Sequence, residues 1–256
     1  MVEHSLWERG AVGSNPITPI QFNLIDMKLI EGKVKTVYST ESADQVLIEY
    51  HDKVTAGNGE KEDYPAGKGS LCCQIASILF EKLQELGVRN HYIRQIGPNK
   101  MLCRKVDIIP LEVICRNRAA GSIVRTTTIT EGQPIIPAIV EFFLKDDSKH
   151  DPLLTRDRVR LMGIDPAPLV EQASMINEYL LNIFNMMGYD LVDFKIEFGI
   201  DNHGDLFLAD EISPDSMRLW DKVNQDRFDK DLFRNDEGDI VPAYQKILES
   251  LQRRFV

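Results

Sequence analysis

Residues 191–199 read LVDFKIEFG and residues 208–215 read LADEISPD, with a short polar stretch, 201–204, between them. In the first segment Val192, Phe194, Ile196 and Phe198 alternate with Asp193, Lys195 and Glu197, which is the two-residue period of a strand. The spacing predicts a hairpin with strands over 191–200 and 205–212. If its turn centres on His203 and Gly204, Glu197 lies opposite Asp210. Two facing carboxylates repel unless something positive sits between them. Asp210 also interrupts the apolar run LFLADEI, where an unpaired charge is costly. A hard divalent cation that bridges carboxylate and phosphate oxygens resolves both difficulties. Lys195, two residues from Glu197, is placed to neutralise a second anionic group. A solvent-facing strand shows the same alternation, and pattern alone leaves both readings open.

Outward from this hairpin, residues 28–38 (KLIEGKVKTVY) and QVLIEYH (45–51) read as two strands of one β-hairpin. Residues 55–69 read as a long loop. Leu71, Ile75, Ile78, Leu79, Leu83 and Leu86 then recur at helical spacing up to Gly87. Segments 91–96 and 101–115 read as strands, with a break at Pro110. A second amphipathic helix carries Leu169, Ala173, Ile176, Leu180, Ile183 and Phe184 and stops at Gly188, and a final helix covers about 242–255. Strands dominate the first third and the remainder is mixed. That order predicts an α+β fold, with a small N-terminal sheet domain, a larger C-terminal domain and a nucleotide in the cleft between them.

The 256 residues are 43% apolar and 27% charged, an ordinary globular composition, with a net charge of −10 that argues against a general nucleic-acid or anionic-membrane surface. No apolar run approaches the roughly 20 residues needed to cross a bilayer. The four cysteines, Cys72, Cys73, Cys103 and Cys115, lack metal-ligand spacing and read as reduced thiols of a cytoplasmic protein. Residues 1–26 show neither helical nor strand period and no secretory signal; a disordered extension is expected there.

Three further segments suit anions. In EGKVKTVY, Lys33 and Lys35 lie on one face beside Gly32, where a backbone can approach a phosphate. A lysine-bearing edge strand would look alike. RNRAAGS (116–122) groups two arginines, an asparagine and a serine around small residues, and guanidinium binds phosphate or carboxylate in bidentate fashion. SPDSMR (213–218) follows the acidic strand directly. No Ser-His-Asp or Cys-His arrangement is evident from spacing.

EGKVKTVY, TAGNGEK, GKG, EVICRNRAAGS, FFLKDDSKHDP, LVDFKIEFG, DEISPDSMRLWD and DKDLFR occur in this order. Together, across about residues 28–254, they closely resemble the SAICAR synthetase family. The resemblance implies a two-lobed fold related to ATP-grasp enzymes and kinases, with an N-terminal ATP-binding lobe over 27–106 and a C-terminal lobe over 107–256 that carries the metal and substrate sites. It implies an ATP- and Mg2+-dependent ligase, often a homodimer. The family joins L-aspartate to a carboxylated aminoimidazole ribonucleotide (CAIR) in purine biosynthesis.

By the same resemblance, Lys33, Val34 and Lys35 cover the ATP phosphates, Val37 and Val46 wall the adenine slot, and Arg104, Lys105 and Ile108 border it. Glu197 and Asp210 match metal-binding carboxylates, with Asp151 a third acidic position. Lys195 matches a lysine between nucleotide and CAIR. Arg116, Ser122 and Arg218 match residues that hold the CAIR phosphate or carboxylate, and Ser213 and Asp215 lie in the same substrate loop. A small-molecule kinase of related fold would lack RNRAAGS and SPDS. A non-catalytic nucleotide sensor would show damage among Lys33, Lys195, Glu197 and Asp210, all of which are present.

Overall fold

The computed structural model describes residues 27–256; the extension expected over 1–26 lies outside the described residues. The chain begins with β1 (Lys28–Glu31), β2 (Lys35–Ser39), β3 (Gln45–Tyr50), β4 (Val54–Ala56), β5 (Lys61–Asp63), α1 (Lys68–Glu85), β6 (Tyr92–Gly97) and β7 (Lys100–Arg104). It continues with β8 (Asp107–Ile108), β9 (Leu111–Arg118), α2 (Ser122–Thr126), β10 (Pro134–Leu144), β11 (Leu153–Leu154), α3 (Arg156–Leu161) and α4 (Pro166–Met186). Last come β12 (Tyr189–Ile200), β13 (Leu206–Ala209), β14 (Met217–Asp221), α5 (Asp231–Arg234) and α6 (Ile240–Phe255).

Two antiparallel sheets result. The first runs β1-β2-β3-β7-β6 and the second β11-β10-β9-β12-β13, with β14 and β8 also paired to β12. β12 is the centre of the second sheet, and both of its faces are buried. Residues 105 and 106 are all that separates the last strand of the first sheet from the first strand of the second. α1 packs on β3, β6 and β7, and its other side meets α6; α4 packs on β9 and β12. The α+β class is therefore as expected, and a single apolar cluster runs from Val46 to Leu251 through both sheets.

The helices begin and end where the chain chemistry requires. Asp165 and Asp239 cap α4 and α6 by accepting from Ala167 N and Val241 N. Gly87 and Gly188, at φ 88° and 83°, follow α1 and α4 in the left-handed region. α1 is capped from outside: the Asp52 carboxylate accepts from Gly67 N and Gly69 N, both at 2.9 Å.

Two expectations are corrected. Residues 28–38 form not one strand but a tight hairpin, β1 and β2, closed by Gly32 N donating to Lys35 O at 2.8 Å. The alternation of that segment continues through a three-residue turn, so periodicity hides it. Residues 55–69 are not loop throughout, because β4 and β5 pair as a small separate hairpin. β10, the longest strand after β12, was not anticipated either. It holds two prolines and a bulge, which break the strand signal, and Ile136–Pro137 is cis.

A methyl group on Gly69 would lie 2.7 Å from the His51 carbonyl carbon and 2.8 Å from Tyr50 O, both backbone atoms that cannot step aside. Gly69→Ala is expected to destabilise the protein by about 1–3 kcal/mol despite the better helix propensity of alanine. Chemical denaturation measures this, and an unchanged midpoint would contradict the packing described.

Candidate active site

The acidic hairpin forms, but one residue out of the register expected. Glu197 pairs with Ala209 and Ile200 with Leu206, so Asp210 falls just beyond the strand. The turn is the reason. Asp201 Oδ1 accepts from both His203 N and Asp205 N at 3.0 Å, which closes a longer, side-chain-held loop than a two-residue turn. Asp210 then adopts φ 62°, unusual for a residue with a Cβ. That left-handed residue breaks the alternation of the strand, and Asp210 remains close enough to Glu197 for their charges to repel.

Both carboxylates are hemmed in by lysines. Lys145 Nζ donates to Glu197 Oε2 at 2.5 Å, Lys195 Nζ stands 3.6 Å from Oε1, and Lys35 Nζ donates to Asp210 Oδ1 at 2.7 Å. Burial and the neighbouring Asp210 charge push the Glu197 carboxyl up, against Lys195 and Lys145. For Asp210 burial acts the same way, but Lys35, Lys195 and Lys145 outweigh it and hold the carboxyl well below the usual carboxylate range. Burial opposes the charge of Lys195 as well, yet Glu112 and Glu197 keep its pKa raised. The exposed-strand reading fails here: Asp193 and Glu197 are only 3% and 2% exposed.

These groups line a cavity of about 580 Å3. Its opposite wall is the Gly32–Val34 turn, where Lys33 Nζ meets Asp147 Oδ1 at 2.7 Å. Asp151 lines the same cavity, at φ 43°, with Oδ1 accepting from Asp146 N at 2.8 Å. Glu197, Asp210 and Asp151 offer hard oxygen donors only, the donor type a hard divalent cation takes, although their oxygens do not all lie within 4.8 Å of one another, and the lysines around them suit phosphate oxygens.

A second cavity, about 620 Å3, opens on the arginine side. Arg116, Ser122 and Arg218 line it, as do Arg125, Arg227 and Arg234. Arg116 is 1% exposed and heavily engaged: Nε with Glu141 at 2.6 Å, one terminal nitrogen with Asp193 at 2.8 Å, the other with Ser122 Oγ at 2.8 Å. Arg218 binds the same Asp193 at 2.8 Å and Asp231 at 2.6 Å. Gly121 is forced, because its φ is 65° and a Cβ would lie 2.6 Å from the Arg218 guanidinium. The small residues of RNRAAGS thus let the chain close around two arginines.

Glu112, Lys195, Asp215 and Ser216 line both cavities. Lys195 N donates to Ser216 O at 2.7 Å, which ties the strand at the lysine to the loop. Ser213, expected at the substrate, reaches neither cavity. It is fully buried, donates to Glu211 Oε1 at 2.5 Å and accepts from Asp215 N at 3.1 Å, which shapes the loop. Val37, Val46, Arg104, Lys105 and Ile108 also line neither cavity. Val46 lies opposite Cys103 and Arg104 opposite Gln45 in the first sheet, Ile108 lies opposite Gly199 in the second, and Lys105 lies in the crossing between them.

Sequence reasoning missed Glu112, Lys145, Glu211, Lys230, Arg125, Arg227 and Arg234. Glu112, Lys145, Glu211, Lys230 and Arg234 stand in the quoted motifs EVICRNRAAGS, FFLKDDSKHDP, DEISPDSMRLWD and DKDLFR, but nothing in their spacing assigns them a partner. Lys230 lines the lysine-rich cavity, and burial lowers its pKa although Asp215 opposes this. All four cysteines are free and buried. Ligand atoms of Cys72, Glu211 and Asp215 lie within 4.8 Å of one another, and the positive charges beside them are Lys68, in ion-pair contact with Asp215, and Lys35, 3.2 Å from Glu211.

Comparison with known proteins bears on the family and the fold. The family model for SAICAR synthetase matches residues 28–251. A phosphoribosylaminoimidazole-succinocarboxamide synthase of Bacillus cereus (strain AH187) is 45% identical over 227 residues, covering 87% of this chain and 95% of the relative. Among solved structures, a SAICAR synthetase (Type-2) in complex with ADP superposes with a TM-score of 0.85 at 38% identity, covering 89% of this chain and 98% of that one. The Ehrlichia chaffeensis phosphoribosylaminoimidazole-succinocarboxamide synthase gives 0.86 at 35% identity, covering 88% and 98%.

Arg116 and Arg125 separate folding from binding at the second cavity. Arg116→Ala leaves the buried Asp193 with Arg218 alone and removes the guanidinium partner of the half-buried Glu141, and is expected to cost about 2–4 kcal/mol of stability. Arg125→Ala, at an exposed position, should stay within about 0.5 kcal/mol of wild type. Denaturant titrations of the two variants measure the difference, and equal midpoints would show that the buried pairs do not support the fold.

Proposed function

This chain belongs to the SAICAR synthetase family, and on that premise we propose how its own residues carry the family reaction. The protein is an ATP-dependent ligase of purine biosynthesis that joins L-aspartate to CAIR, giving SAICAR, ADP and phosphate. One observation carries the assignment of roles: a lysine-rich and an arginine-rich cavity meet at Lys195 and the Asp215–Ser216 loop. Two anionic substrates bound one in each would bring their reacting ends to that wall.

In this reading the turn at Lys33, Val34 and Lys35 covers the ATP phosphates. Val37, Val46, Arg104, Lys105 and Ile108 border adenine. Arg116, Ser122 and Arg218 hold the CAIR phosphate or carboxylate, with Asp215 in the wall and Ser213 shaping its loop. Glu197, Asp210 and Asp151 would hold Mg2+ through carboxylate oxygens. Such an ion would supply Lewis-acid neutralisation of the negative charge on the phosphates. The lobes of the proposal are 27–106 and 107–256, and a cytoplasmic homodimer is part of it.

A carboxylate is a poor electrophile, and ATP corrects this. A CAIR carboxylate oxygen bonds to the γ-phosphorus as the bond to the β-phosphate bridging oxygen breaks, and ADP departs. The aspartate amine then bonds to the acyl carbon, inorganic phosphate leaves with the C–O electron pair, and the amine proton passes to phosphate or water. Lys195 offsets the charge that gathers where the two anions meet, and Lys33 and Lys35 orient the phosphates. Enclosure between the lobes keeps water from the activated carboxyl group.

Phosphate release from ATP in the presence of Mg2+ should require both CAIR and L-aspartate; turnover equal with and without aspartate would sink the ligase assignment. Glu197→Gln should lower kcat by roughly a hundredfold or more with an unchanged melting curve. Near wild-type turnover in that variant would remove Glu197 from the site.

A further inference from the structure

Behind the Asp215–Ser216 loop lies a buried polar group to which the reading above gives no role. Lys68, in the first turn of α1, is 1% exposed. Its ammonium group is in ion-pair contact with Asp215 Oδ2 and also donates to Lys53 O at 3.2 Å. From the far side, the hydroxyl of Tyr244 on α6 donates to Asp215 Oδ1 at 2.7 Å, and that side chain is fully buried as well. Removing an ammonium group and a phenol from water is expensive, and apolar residues of similar volume would often stabilise the fold at least as well. A purely structural requirement therefore does not account for the group.

Its placement does. Both oxygens of Asp215 are held by helices far from it in the chain, while Asp215 itself lines both cavities. Its amide is tied to Ser213 Oγ, and the next residue, Ser216, accepts from Lys195 N. Burial opposes the charge of Asp215, yet Lys68 and Lys230 hold its carboxyl below the ordinary carboxylate range, so it stays ionised. Glu211, in the same loop, reaches Lys35 at 3.2 Å on the phosphate side.

We propose that Lys68 and Tyr244 are positioning residues: acting through Asp215, they fix the wall shared by the two cavities so that the CAIR carboxylate meets the nucleotide. The proposal rests on the ligase reading. Elements that also carry the apolar core, α1 and α6, thereby set the geometry at the reacting groups.

Tyr244→Phe in the full chain tests this, since it keeps the ring and removes one hydroxyl. The expected result is a fall of about tenfold in kcat/KM for CAIR, the loss of one hydrogen bond to a charged acceptor, with KM for ATP within about twofold and Tm within a few degrees. In an Asp215→Asn background the same change should add little, because its effect travels through that carboxylate. Wild-type kinetics in Tyr244→Phe would overturn the proposal. So would full additivity in the double variant, or a uniform drop in kcat for every substrate with unchanged KM values and a lowered Tm. If Tyr244→Phe does not fold, Lys68→Gln takes its place in the same cycle. Absence of ligation by the wild-type protein would instead defeat the functional reading itself, which keeps the two failures distinct.

Discussion

Every charged side chain on the inner face of β12 must find a partner of opposite sign inside the protein. A buried, unpaired charge costs several kcal/mol, and Asp193, Lys195 and Glu197 sit on a strand whose two faces are both covered. Asp193 draws Arg116 from β9 and Arg218 from β14; Lys195 draws Glu112, also from β9; Glu197 draws Lys145 from just after β10. Those demands help fix which strands flank β12 and in what register. The architecture of the second sheet and the electrostatics of the site are therefore one problem with one solution.

The same pairing sorts charge into two compartments. On one side of Lys195 the cavity is lined by lysines and carboxylates together. On the other side the cations are arginines: Arg116, Arg218, Arg227 and Arg234 are held by acids, and the exposed Arg125 adds a further charge. The two compartments share a wall at Glu112, Lys195, Asp215 and Ser216, so two anions bound one in each, as proposed, would each have cations of their own. Lysine serves where a point charge has to approach a phosphate, arginine where a planar fork has to bridge two acids and still face a ligand.

Much of this was legible beforehand. The alternation in LVDFKIEFG, the helical spacing up to Gly87 and Gly188, and the break at Pro110 all correspond to observed elements. The ordered motifs identified the family. Where sequence reasoning slipped, a local detail overrode a period. The Asp201 carboxylate lengthened the turn and shifted the register by one. A three-residue turn at Gly32 split one expected strand into two. Prolines and a bulge concealed β10. The Arg227 and Arg234 contributions were invisible because neighbours in space come from segments that share no spacing rule.

By itself the sequence determined the element types, the acidic hairpin and the residue kinds needed for phosphate, carboxylate and metal chemistry. Those depend on periods of two and 3.6 residues and on functional-group identity, which are local properties. Only the tertiary structure decided that Glu197 meets Asp210 through a left-handed residue rather than through register, and that Arg116 is a buried bridge as well as a cavity wall. It alone brought Lys68 and Tyr244 to a single carboxylate. Such outcomes depend on how burial and charge are balanced among elements distant in the chain, and no window of sequence contains that balance.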